Sequence, residues 1–325
     1  MNITGMETLL KTKTRIAVVG IGGVGGYYGG LLSKYAETHP EISVVFISRG
    51  ANLQKIRANG LKVVAGKESF VTRPGLVTDH GVEAGVMDYI ILSTKSYDLE
   101  ATAAQIAPMI AEHTIILPLL NGIDNTARLR DIFPRNEVWY GCVYIVARLN
   151  EPGVVESSGN VHYFHFGHEK KQSAELNFFE NLLQEAGFDV SLKEYPIKAI
   201  WRKFFFISVN AALTTYLNTG FSNLVHNEDM QPLYVAMMRE LLSIAHAEGV
   251  MLHESIIDDM LKYGGSLPAG TTSSMNSDYL AGRSIELETL VGVVVRLGQK
   301  HSLPTPVYDM VYKKLAGVKP CQKQL

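Results

Sequence analysis

The chain has 325 residues, 46% of them hydrophobic and 19% charged, a composition ordinary for a soluble globular protein with room for two cores, so disorder is not the default. With 30 basic against 32 acidic residues the formal charge is −2, so the sequence carries no electrostatic footprint for nucleic acid or an anionic membrane. Cys142 and Cys321 are too few and too distant for a disulfide framework or a zinc site and fit a reducing cytoplasm; no metal is expected. No uninterrupted apolar run reaches the roughly 18 residues that a membrane span needs.

In chain order, residues 1–14 are polar and are expected to form a short disordered extension rather than a targeting signal. The β-branched run Ile16 to Val19 then feeds directly into Gly20-Ile-Gly22-Gly23-Val24-Gly25, the Gly-x-Gly-x-x-Gly turn that opens a dinucleotide-binding βαβ unit. Gly20 is expected to make the tight turn off the strand, Gly22 to let the backbone approach a pyrophosphate, and Gly25 to let the following helix pack closely. A helix beginning near Tyr27 would face the phosphates with its unpaired N–H groups. Gly20, Gly22, Gly23, Val24 and Gly25 are therefore candidate cofactor-binding residues, the alternative being a glycine turn that is merely structural.

The next strand, Ser43 to Ile47, ends in Ser48 and Arg49, where an NAD-selective site usually carries an acid for the ribose hydroxyls. A hydroxyl and a guanidinium suit a 2′-phosphate, which a carboxylate would repel, so NADP(H) is favoured. The competing reading makes Arg49 a solvated residue beyond an edge strand.

Further strands are expected at Tyr89 to Leu92, Thr114 to Leu117, Val138 to Val146 and Val161 to His165, the last holding His162 and His165 as sheet residues. Alternation of such runs with helical stretches predicts a doubly wound, mostly parallel sheet, with antiparallel pieces at the edge near residues 62–66 and Pro152-Gly153. After Leu192 to Pro196 the periodicity becomes helical: Ile197 to Tyr216, Gln231 to Glu248, Glu254 to Lys262, Glu286 to His301 and Pro306 to Leu315. The polar stretch Gly264 to Arg283 is expected to include a loop. The expected fold is α/β: a Rossmann-type domain over 15–193 and an all-helical substrate domain over 194–325.

A carbonyl that gains hydride develops negative charge on oxygen, and a nearby proton donor must neutralise it. Lys203 stands out, because Trp201 and Phe204 to Phe206 surround the ammonium with apolar side chains, the setting that tunes an amine for proton transfer. The bland alternative is a Lys on the exposed face of an amphipathic helix.

Gly20-x-Gly-x-x-Gly, Arg49, Ser93-Thr-Lys95-Ser-Tyr97, Leu120-Asn121-Gly-Ile123, Trp201-x-Lys203, Ser273-Ser274-Met275 and Glu286 resemble, in order and spacing, the ketopantoate reductase family, the 2-dehydropantoate 2-reductases. The likeness runs from about Arg15 to Leu315. It implies a cytoplasmic enzyme that reduces 2-dehydropantoate to (R)-pantoate with NADPH, a step towards pantothenate and coenzyme A. It implies that Lys203 is the general acid, that Glu286 hydrogen-bonds a substrate hydroxyl, and that Ser274 binds the substrate carboxylate. Asn121 would lie beside nicotinamide and substrate, and Lys95 would contact the cofactor. Family members commonly carry Asn four and eight residues after the Lys, where this chain has Ile207 and Ala211; Ser208 and Asn210 are the nearby substitutes if the helix is rotated or bulged. The partner is thus a small 2-oxo acid, with another branched 2-oxo acid or a non-catalytic NADP-binding sensor as alternatives. Leu287 to Leu297 and the helix around Met237-Met238 are either core or the interface of a homodimer, and packing is the safer reading.

Overall fold

The computed structural model describes residues 13–170 and 173–317. The expected disordered extension lies outside the described residues except at its end, where Thr14 already belongs to the first strand. The chain forms two compact units, one taking in the residues up to Leu120 and Asn125–Pro196, the other Asn121–Asp124 and the residues from Ile197 onward. The segment 121–124 thus groups with the second unit, although it lies between two parts of the first.

The first unit runs β1 (Thr14–Val19), α1 (Gly23–Ala36), β2 (Ile42–Ile47), α2 (Gly50–Asn59), β3 (Leu61–Ala65), β4 (Glu68–Thr72), β5 (Leu76–Thr78), α3 (Gly81–Ala84), β6 (Tyr89–Leu92), α4 (Leu99–Ile106), β7 (Ile115–Pro118), α5 (Asn125–Ile132), β8 (Tyr140–Glu151), β9 (Val154–Gly167), α6 (Ala174–Glu185) and β10 (Asp189–Leu192). Five strands make a Rossmann-type parallel sheet in the order β5-β2-β1-β6-β7. Its strands read as continuous apolar runs because both faces are covered. Ile16, Val18 and Phe46 pack on one face, and Ala17, Val19, Ile90 and Leu92 pack on the other against Leu99, Ile106 and Leu129.

Of the strands expected at 138–146 and 161–165, only Val138 touches this sheet, through a single parallel bridge to Ile116 of β7. The two runs form a long antiparallel hairpin, β8 and β9, in a second sheet of order β10-β9-β3-β4 with β8 on β9. The reason lies in the alternation at 163–166: Phe164 and Phe166 are buried while Tyr163 is exposed, so this strand has one apolar face and not two. That face closes over α1, where a side chain at Gly26 would collide with Val155 and Tyr28 packs edge-on to Phe164 at 5.1 Å.

The second unit is helical: α7 (Pro196–Leu217), α8 (Phe221–His226), α9 (Gln231–Ala247), α10 (Ile256–Ser266), α11 (Ser274–Leu280), a π-turn over Glu288–Gly292 that runs into α12 (Val293–His301), and α13 (Pro306–Ala316). Its core joins Phe204, Phe205, Val209 and Leu213 of α7 to Met237, Met238 and Leu241 of α9 and to Leu290, Val291 and Val294. Met237 and Met238 are fully buried within this unit, so they are packing residues. Ser208 donates to Leu290 O at 2.5 Å and lies 2.8 Å from the Tyr308 hydroxyl, taking up a carbonyl that the widened π-turn displaces from the regular ladder. Among the described residues no helix is long and apolar enough to cross a membrane, and no group of three or more His, Cys, Asp or Glu could hold a metal ion.

Candidate functional site

The parallel strands end in register, Val19 beside Ile47 and Leu92, and Leu92 beside Pro118, so the segments that follow them emerge at one carboxyl edge. Gly20 leaves β1 at φ +88°, a conformation that only glycine adopts without strain, and a Cβ there would stand 2.7 Å from Thr94 Cγ2. A Cβ on Gly25 would collide with Gly20 O, and one on Gly23 with the Ala147 carbonyl of β8. At Gly22 nothing lies within 4 Å of the Cβ position. Val24 is partly buried against the first core.

The helix α1 begins at Gly23, earlier than the start expected near Tyr27, because the glycine turn itself supplies its first residues. Its N-terminus has no side-chain cap and no acid in the first turn. Unsatisfied N–H groups beside open space at Gly22 fit the diphosphate of a dinucleotide.

Ser48 and Arg49 follow β2, and Arg49 starts α2 as its N-cap residue. Ser48 is only 5% exposed. The Arg49 guanidinium is largely in solvent and lies 3.6 Å from the Asp98 carboxylate. Lys95 is half-buried and opens a single 3-10 turn over Ser96–Asp98 after β6. Sequence reasoning passed over Asn52, which donates to Ile21 O at 2.8 Å and Ser48 Oγ at 3.1 Å and accepts from Gly153 N at 2.8 Å. Its only signal was the four-residue spacing from Ser48, which brings side chains together on a helix.

In the second unit, Lys203 on α7 is 8% exposed and Glu286, just ahead of the π-turn, is 4% exposed. Lys203 Nζ donates to Asn121 Oδ1 at 2.9 Å, and Asn121 Nδ2 points at Glu286 Oε2 at 3.5 Å. A single amide thus lies between a buried ammonium and a buried carboxylate, and its two ends are oriented by those charges. Such a group can hold a proton donor in place.

Ser274 is the exposed first residue of α11, and no hydrogen bond joins it to the trio among the described residues. Its neighbour Ser273 caps that helix by accepting from Asn276 N at 3.0 Å and meets Thr214 Oγ1 of α7 at 2.8 Å. Ser208 and Asn210, the substitutes expected for the missing amides, are engaged within the helical unit. Ser208 is committed to Leu290 and Tyr308 inside the helical core, and Asn210 is engaged by Phe206 O at 2.8 Å and by the Tyr234 hydroxyl at 3.0 Å. The α7 helix is neither rotated nor bulged to release them. Ile207 and Ala211 occupy the positions one and two turns beyond Lys203, Ile207 partly buried and Ala211 buried.

A Rossmann-type sheet with an open glycine turn, followed by a helical unit with a buried ammonium, amide and carboxylate, is the equipment of a dinucleotide-dependent oxidoreductase. Residues 16–170 match the family model described as ketopantoate reductase PanE/ApbA, and residues 197–319 match its C-terminal counterpart. The chain is 26% identical over 302 residues to the uncharacterized oxidoreductase YkpB of Bacillus subtilis (strain 168), covering 93% of this chain and 97% of that protein. It is 28% identical over 296 residues to a 2-dehydropantoate 2-reductase of Halobacterium salinarum, covering 90% of this chain and 95% of that one. The crystal structure of 2-dehydropantoate 2-reductase from Porphyromonas gingivalis W83 superposes with a TM-score of 0.83 at 34% identity, covering 94% of this chain and 100% of that one. The chain belongs to the ketopantoate reductase family, a family of NAD(P)-dependent oxidoreductases.

Proposed function

We propose that this chain is an NADPH-dependent 2-oxo acid reductase that converts 2-dehydropantoate to (R)-pantoate, on the way to pantothenate and coenzyme A. The observation that carries the reading is the buried Lys203, held by Asn121 in line with Glu286. Gly20, Gly22, Gly23, Val24, Gly25, Ser48, Arg49 and Lys95 hold the cofactor, whose nicotinamide supplies a hydride when bound. Lys203 Nζ gives a proton to the nascent alkoxide oxygen, Asn121 keeps that ammonium directed, and Glu286 accepts a hydrogen bond from a substrate hydroxyl. Ser274 binds the substrate carboxylate. The names of the Halobacterium and Porphyromonas relatives support the substrate.

A second reading, reduction of a different branched 2-oxo acid, is favoured by Ile207 and Ala211, which offer methyl groups where amides would bind a polar substrate. Loss of NADPH absorbance with 2-dehydropantoate, beside 2-oxoisovalerate and with NADH as control, tests both. Selective turnover of 2-dehydropantoate with NADPH is expected; faster turnover of the oxoisovalerate moves the assignment to the second reading. Lys203→Ala should lower kcat by about 10²- to 10⁴-fold with dinucleotide affinity kept, and an active variant removes Lys203 from the mechanism.

A further inference from the structure

Asn52 ties together three segments that surround the carboxyl end of β1 and β2: the glycine turn through Ile21 O, the end of β2 through Ser48 Oγ, and the β8–β9 turn through Gly153 N. The last of these bonds fixes the sense of the whole network. A backbone N–H can only donate, so the Asn52 atom that faces Gly153 is the carbonyl oxygen, and the atom that faces Ser48 and Ile21 is the NH₂ group, which can only donate. Ser48 Oγ therefore accepts at 3.1 Å, and its single proton points elsewhere. Ser48 is 5% exposed, and among the described residues no protein acceptor takes that proton. A buried hydroxyl that keeps its proton without an acceptor is an expense a fold carries where a ligand supplies the acceptor.

We propose that Asn52 is a positioning residue for the cofactor, turning the Ser48 hydroxyl into a fixed proton donor toward the 2′-phosphate of the adenosine ribose while it clamps the glycine turn. The proposal deepens the NADPH reading and rests on it. A phosphate dianion has only acceptor oxygens, so a hydroxyl locked as donor and the neighbouring Arg49 guanidinium suit it together. A ribose 2′-hydroxyl is uncharged and gains less from the same donor than a phosphate dianion does. Asn52 acts through Ser48 and carries no charge; Arg49 acts by its charge, and the exposed Asp98 at 3.6 Å balances it when no phosphate is near.

The test measures dissociation constants for NADPH and NADH by cofactor fluorescence on the wild-type chain, Ser48→Ala, Asn52→Ala, the double variant and Arg49→Ala, with melting temperatures recorded for each. Ser48→Ala is expected to lower the NADPH-over-NADH preference about tenfold, the worth of one charge-assisted hydrogen bond. Asn52→Ala is expected to weaken both cofactors through the loosened glycine turn and also to lower the preference. In the Ser48→Ala background it should weaken both cofactors but leave the preference where Ser48→Ala put it. Equal weakening of NADPH and NADH by Asn52→Ala in the Ser48 background overturns the proposal and leaves Asn52 a plain structural clamp. Asn52→Leu, of similar shape, serves in the same cycle if the Ala variant does not fold. If the wild-type chain shows no preference for NADPH over NADH, the NADPH reading fails; if the wild type prefers NADPH and Asn52→Ala does not alter that preference, only the role of Asn52 fails.

Discussion

Arg49 works from an exposed position, with its guanidinium 66% and the facing Asp98 side chain 40% accessible. The attraction proposed between it and a cofactor phosphate is therefore open to screening by salt. Arg49→Ala should raise the Michaelis constant for NADPH about tenfold while that for NADH changes little, and in the wild type rising ionic strength should narrow the gap between the two cofactors. Steady-state kinetics at low and high salt check both, and a gap that ignores salt would assign selectivity to neutral donors instead. At this scale the placement of the glycine turn after β1 and of Arg49 after β2 was legible in the sequence, because an apolar run that stops at glycines or at a basic residue marks a strand end. The partners of Ser208 and Asn210 were not legible. Helical spacing brings Asn210 back to nearly the same side as Lys203 after seven residues, but no spacing reveals that Tyr234 on another helix has claimed its amide. Asn52 went unread for the converse reason, since two of its three partners are backbone atoms, which any sequence supplies.

Among the elements, the π-turn over Glu288–Gly292 follows directly on Glu286 and depends on a hydroxyl from a different helix. Ser208→Ala leaves Leu290 O and the Tyr308 hydroxyl without this partner inside a dry core. A loss of about 1–3 kcal/mol is expected, read as a drop in unfolding midpoint, and an unchanged midpoint would mean that the turn holds without Ser208. The helix from 286 to 301 was readable from its apolar spacing, but the inserted residue that widens it was not, because both registers bury an apolar stripe and packing decides between them. The second sheet shows the same division. Strands at 138–146 and 161–165 were visible as β-branched and aromatic runs, while their membership of a separate sheet follows from partners distant in sequence, β3 and β10.

In the molecule as a whole, the first unit ties α5 to the segment after β9 with an ion pair of good geometry. Arg130 on α5 donates to both carboxylate oxygens of Glu169, at 2.5 and 2.9 Å, and to Val138 O at 2.8 Å. Burial opposes the charge on Glu169, but the Arg130 hydrogen bonds outweigh it and hold the carboxyl below its usual range. A depressed pKa means that the unfolded chain takes up the proton first as pH falls. The stability from this pair is thus complete above the ordinary carboxylate range and is lost as pH drops through the depressed value. Arg130→Met should lower stability near neutral pH by about 1–3 kcal/mol and flatten the acid limb of a pH-dependent melting curve; an acid limb identical to wild type would mean that other carboxylates govern it. The backing of the glycine turn by β8 carries a different consequence, for how freely the gene can drift. Gly23 meets the main-chain carbonyl of Ala147 rather than its side chain, and every residue has that carbonyl. Random mutagenesis scored by dinucleotide retention would therefore find position 23 almost closed, and position 147 limited only by what its own partly buried side chain can fit, an asymmetry between two residues that touch each other.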